Sequence, residues 1–113
     1  MVAFVRGDVV VVPFPFSDLS SSKKRPALIV ATLTGNNVII CPISSQNRTG
    51  NKYAIELKTS DMQNGTLKQT SYVQTDIVFT ANSTIINYKV GEISSQKLEA
   101  ITATLVKIIE GKI

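Results

Sequence analysis

Apolar and polar positions along this chain fall in short blocks, and only near the end do they take up a helical period. DVVVV at 8–12 is β-branched and too short for a globular helix, so it predicts a buried strand. Pro13 and Pro15 are expected to end its pairing, because neither donates a backbone hydrogen bond. Residues 17–24 are polar with no apolar period, a loop, and Arg25-Pro26 closes it before a second apolar strand begins with ALIV at 27–30. The apolar runs at 28–33 and 37–43 are separated by Thr34-Gly35-Asn36, which predicts a tight hairpin turn. A second polar loop covers 44–52, and YAIELK at 53–58 alternates as a half-buried strand should. Asn64-Gly65 reads as a turn, 70–74 as a short strand, 76–80 as its continuation after a kink, and 85–90 as one more extended segment.

The helix comes last. Ser94 is a suitable N-cap, and Ile93 and Leu98 are placed as a hydrophobic staple. Leu98, Ile101, Leu105, Ile108 and Ile109 form one apolar stripe, and Gly111 is the expected stop. Many short strands followed by one helix predict a mainly β fold: a small, strongly bent sheet or barrel with the helix packed on it.

Composition adds limits. A chain of 113 residues, 43% hydrophobic and 18% charged, is long enough for one globular domain spanning 1–113. No apolar run approaches a membrane span, and residues 1–6 lack the pattern of a secretory leader. The single cysteine, Cys41, forms no internal disulfide and fits a reducing compartment, so cytoplasmic residence is expected. Cys41 lies inside an apolar strand, as a small buried hydrophobe would. The chain has no histidine, which removes the commonest general acid–base and most zinc sites, and no metal or other cofactor is expected. The formal net charge of +4 suits a polyanionic partner but does not single one out.

Two loops carry the candidate chemistry. The first contains Ser20-Ser21-Ser22 and ends in Lys23-Lys24-Arg25; Pro26 holds Arg25 extended, at the point where loop becomes strand. A basic triplet is more often a solvated loop than a site. The second loop opens with Ser44-Ser45-Gln46, residues that elsewhere simply satisfy a turn. Lys23, Lys24 and Arg48 are candidates for nucleic-acid backbone phosphates. Phe14, Phe16 and Tyr53 offer either stacking faces or core; Asp18 and Gln46 offer either base contacts or turn caps.

GDVVVVPFPF, the Ser/Lys loop and KKRPALIV together resemble the opening of the PemK/MazF family of toxin–antitoxin ribonucleases. CPISSQ, SYVQTDIVFT and ISSQKLEAITATLVKII resemble later segments in the same order, so the likeness covers essentially the whole chain. The resemblance implies an SH3-like, strongly twisted sheet of the CcdB/PemK type, a homodimer, and a cognate antitoxin. It also implies metal-independent cleavage of single-stranded RNA at a short motif. Arg25 then matches the family's catalytic arginine, and Ser44 falls where many members have a catalytic threonine. Asp76 lies where some members have an acidic site residue. Gln74, with Ser45, belongs to the expected RNA-binding set; one branch has an arginine at position 74, and the histidine that branch uses is absent here. The alternatives are a non-enzymatic toxin of the same fold that inhibits DNA gyrase, and an inactive nucleic-acid-binding module.

Overall fold

The computed structural model describes residues 3–14, 23–46 and 51–113, with only the backbone of Phe14 and Lys23. Eight antiparallel strands are described: β1 (Asp8–Phe14), β2 (Lys23–Thr32), β3 (Asn37–Ser44), β4 (Ala54–Leu57), β5 (Met62–Gly65), β6 (Ser71–Gln74), β7 (Phe79–Asn82) and β8 (Tyr88–Ile93). The helix α1 (Ser95–Ile109) follows. The strand order is β4-β6-β3-β2-β1-β8-β5, with β7 also paired to β3.

Both faces of the sheet's centre are buried, which is why β1 and β2 read as unbroken apolar runs. On one face Val9, Leu28, Cys41, Ile43, Leu57, Val73 and Ile93 pack under α1, whose Ile101 is fully buried and whose Leu98 and Leu105 lie against the same cluster. On the other, Val10, Val12, Ala27, Ile29, Val38 and Ile40 are covered by Phe4, Phe79 and Ile86. The mainly β fold with a C-terminal helix is thus as expected.

The helix ends follow local chemistry. Ser94 accepts from Lys97 N at 3.2 Å, as an N-cap should. Gly111, at φ +74°, closes the other end: its N–H donates to Ile108 O and Lys112 N–H to Lys107 O, a Schellman arrangement. The apolar stripe outlasts the sheet beneath it, so Ile109, expected on the packed face, is 84% exposed.

The N-terminal segment is tied in at three points. Gly7 N–H donates to Ile29 O and Gly7 O accepts from Ile93 N. Arg6 donates to Val30 O and to Thr102 Oγ1, joining β2 to α1. Asp8, 1% exposed, accepts from Val5 N at 2.9 Å and pairs with Lys89 Nζ at 3.1 Å.

Several boundaries differ from expectation. Pro13 does not end pairing: β1 continues to Phe14 opposite Lys23. Beyond Val11 the β8 edge of β1 is unpaired, so a missing N–H there breaks no ladder. Lys23, Lys24 and Arg25 are therefore strand residues of β2, not loop. Residues 75–78 separate β6 from a distinct strand, β7, and a 3₁₀ turn at Ser83–Ile85 delays the last strand to Tyr88.

Asn64-Gly65 is not a hairpin turn but the end of β5, with Gly65 opposite Gly91 of β8. The two backbones approach so closely that an added Cβ at either glycine would collide with the main chain of the facing strand. Gly91→Ala is expected to destabilise the fold by about 2–3 kcal/mol in urea unfolding. Gly65→Ala should cost more, because Gly65 also sits at φ +81°. Gly35→Ala, in open space at φ +71°, should cost only about 1 kcal/mol.

Candidate functional site

Alternation along paired strands decides which side chains meet. The β2–β3 ladder reaches the Ala27–Pro42 pair, and two residues beyond it the strands carry Arg25 and Ser44 at matching positions. Arg25 shares a face with Ala27 and Ile29, and Ser44 shares that face with Ile40, so both belong to the side away from α1. Alternation therefore sets the strand-borne arginine and the strand-end hydroxyl toward one end of one face, on neighbouring strands whose ladder ends two residues short of them.

Arg25 is exposed, and among the described residues it has no ion-pair or side-chain hydrogen-bond partner. Its paired donors face solvent, which leaves them for a ligand oxygen. Ser44 is half-buried, and its hydroxyl is engaged locally: it donates to Gln46 O at 3.0 Å and accepts from Gln46 N at 3.1 Å. The N–H of Gln46 fixes the oxygen's position, while the hydroxyl proton can rotate from the carbonyl to an incoming acceptor. Ser45 and Gln46 follow, both exposed.

Lys24 is exposed too, but alternation sets it on the opposite face from Arg25, so the Lys-Arg run does not form one patch. Gln74 shares the Arg25 face through β6, and its Oε1 accepts from Asn51 Nδ2 at 2.7 Å. Tyr53 is half-buried with Lys52 Nζ 5.3 Å from its ring centroid, which takes one side of the ring. Phe16, Asp18 and Arg48 lie outside the described residues, as do the side chains of Lys23 and Phe14.

A family model described as PemK-like, MazF-like toxin of type II toxin–antitoxin systems matches residues 5–109. The chain belongs to that family. No curated protein sequence matches it. Among solved structures, the MazE–MazF complex of Deinococcus radiodurans (Form III) superposes with a TM-score of 0.77 at 16% identity, covering 96% of this chain and 98% of that one. An endoribonuclease in complex with its cognate antitoxin from a mycobacterial species gives 0.74 at 20% identity, covering 96% of each chain. Mycobacterium tuberculosis toxin MazF-mt6 gives 0.69 at 19%, covering 91% of this chain and 96% of that one. At such identities the likeness is one of fold.

In this PemK/MazF-family chain, Asp76 is exposed just after β6, and no described contact joins it to Arg25 or Ser44. Its charge instead reaches Cys41. Burial first, and Asp76 second, push the Cys41 thiol up to about 12. Among the described residues there is no cluster of metal-ligating side chains, and no helix long and apolar enough to cross a membrane.

Two residues beside Ser44 escaped the sequence reading. Tyr72 is paired directly with Ser44 on one side and Glu56 on the other, which puts all three on the Arg25 face. The alternation in SYVQ and AIEL marks both as outward positions, but only the register shows that they adjoin Ser44.

The state of Cys41 gives a direct check. The fold favours the neutral thiol, so its contribution is intact below the ordinary thiol value near 9 and is lost as pH rises toward about 12. Iodoacetamide at pH 8 should leave the native protein unlabelled and modify it fully in denaturant. Stability should fall above pH 9 by up to about 1.4 kcal/mol per pH unit more in the wild type than in Cys41→Ala.

Proposed function

We propose that this chain is the toxin of a type II toxin–antitoxin pair, an endoribonuclease that cuts single-stranded mRNA at a short sequence and thereby stops growth. The observation that supports it is the placement of Arg25 and Ser44 at one end of one sheet face, with the Arg25 guanidinium held by no described partner. RNA carries its own nucleophile. The 2′-hydroxyl attacks the adjacent phosphorus, the 5′-oxygen leaves, and a cyclic 2′,3′-phosphate and a free 5′-hydroxyl remain. Arg25 offers paired, charged donors to the phosphorane oxygens, and Ser44 adds a hydroxyl hydrogen bond to the same phosphate. Neither role requires a histidine, which the chain lacks, or a metal ion.

The remaining parts of the reading follow from the family. Lys23 and Arg48 are the candidates for neighbouring backbone phosphates, Lys24 being set on the opposite face from Arg25, and Ser45, Gln46, Gln74, Phe16 and Asp18 are the candidates for contacts along the RNA. Asp76 is the candidate for general base, and an unchanged pH–rate profile in Asp76→Asn would remove it. The active form is a homodimer in the cytoplasm, silenced by a cognate antitoxin, as relatives crystallised with theirs suggest. An acidic, partly disordered antitoxin segment complements the basic toxin.

The test is incubation of purified protein with a long unstructured RNA in excess EDTA. Wild type should give discrete fragments with cyclic phosphate ends, and a 2′-deoxy nucleotide at the cut should abolish cleavage. Arg25→Ala should slow cleavage about 10²- to 10³-fold with fold and dimer intact. Ser44→Ala should slow it less, and Ser44→Thr should retain activity. Folded dimer that cuts none of several RNAs would favour a gyrase-type inhibitor.

A further inference from the structure

Arg25 and Ser44 hold a phosphate, but neither can tell one base from another. The next two strands supply what they lack. Across β6 and β4 from Ser44 the same face carries Tyr72 and then Glu56, each paired in register with its neighbour. Strands spaced about 5 Å apart put Glu56 roughly 10 Å from Ser44 at the backbone. That is about the reach from a nucleotide's phosphate to the pairing edge of its base. Tyr72 between them is partly exposed, and its hydroxyl has no partner among the described residues. Glu56 is 48% exposed, its only described ion pair being Lys58 at 3.6 Å.

We propose that this strip is a base-reading platform: the base adjoining the phosphate held by Arg25 and Ser44 stacks on Tyr72 and offers its pairing edge to Glu56, which selects guanine. The proposal rests on the cleavage reading above and adds a specificity to it. A carboxylate repels RNA phosphates, so a Glu on this face turns the backbone away and admits the base edge. Its two oxygens match the N1–H and N2–H donors of guanine together. Cytosine and adenine offer one amino group each, and uracil flanks its single N–H with two carbonyls that oppose the carboxylate. An aromatic ring on a strand is the usual support for a splayed-out single-stranded base. Lys58, beside Glu56, is then available for the next phosphate.

The experiment uses the full chain and two readouts. One sequences the ends of fragments cut from a randomised RNA pool. The other measures binding of short single-stranded RNAs that carry 2′-deoxy at the cut and G, A, C or U at the adjoining position. Wild type should favour G over U by roughly 10- to 100-fold in both. Glu56→Gln should collapse that preference, lowering binding and cutting at G toward the level of the other three bases. Tyr72→Leu should weaken binding of all four RNAs by about 5- to 100-fold, and Tyr72→Phe should restore it. Cleavage that shows no preference for G, or the same preference in Glu56→Gln, overturns this proposal and leaves the nuclease reading standing. Binding that favours G through Glu56 in a protein that cuts nothing supports the platform and removes the nuclease reading. Absence of both cutting and binding overturns both.

Discussion

Strand β3 must pair along one edge with two strands that come from different parts of the sheet. β7 takes residues 37–40, and β6 takes only Ile43 and Ser44. Between them the chain has to leave the edge and return within residues 75–78. Thr75 holds this crossing. It is fully buried, and both its hydroxyl, at 2.6 Å, and its N–H, at 3.2 Å, donate to Tyr53 O. Because β4 pairs with β6 alone, the β4–β6 unit joins the sheet's ladder through only two residues of β3, and the Thr75–Tyr53 bonds fix its two strands to each other. The orientation of everything beside Ser44 depends on it.

Charge is distributed so that little of it is spent at the site. The buried carboxylate of Asp8 occupies Lys89, which is held above the ordinary lysine value by it. Lys97 is used to fasten the start of the helix, reaching Glu56 O at 3.1 Å and Asp61 Oδ2 at 3.5 Å. The other described pairs are Lys89–Glu92, partly exposed, and Lys58–Glu56 and Lys112–Glu110, both exposed and contributing little to stability. Arg25 has no ion-pair partner among the described residues.

Strand existence was legible because both faces of the central sheet are buried and the sequence there runs apolar without a break, β-branched above all in β1. The helix was legible through its caps. Lys23-Lys24-Arg25 misled because composition reports solvent exposure, not pairing: β1 supplies main-chain partners whatever the side chains are. Asn64-Gly65 misled because glycine serves a close approach as readily as a turn, and the facing glycine is 26 positions away in sequence. Arg25 and Ser44 were found by resemblance; that they share a face, and that Tyr72 and Glu56 continue it, is a matter of register between strands. No single strand's sequence contains that information.

Arg25 and Ser44 lie on one hairpin, β2 turning through Thr34–Asn36 into β3. That hairpin closes a short loop, so it is among the least costly pieces of this fold to assemble. The closures of β8 onto β1 and of α1 onto the covered face span far more of the chain. Arg25 and Ser44 are set side by side by the strands of this one hairpin, whereas the β4–β6 unit beside them needs residues from the second half of the chain. On the proposed reading, then, the pair that would hold a phosphate is local to one hairpin, whereas the strip that would read a base is assembled from distant parts of the chain.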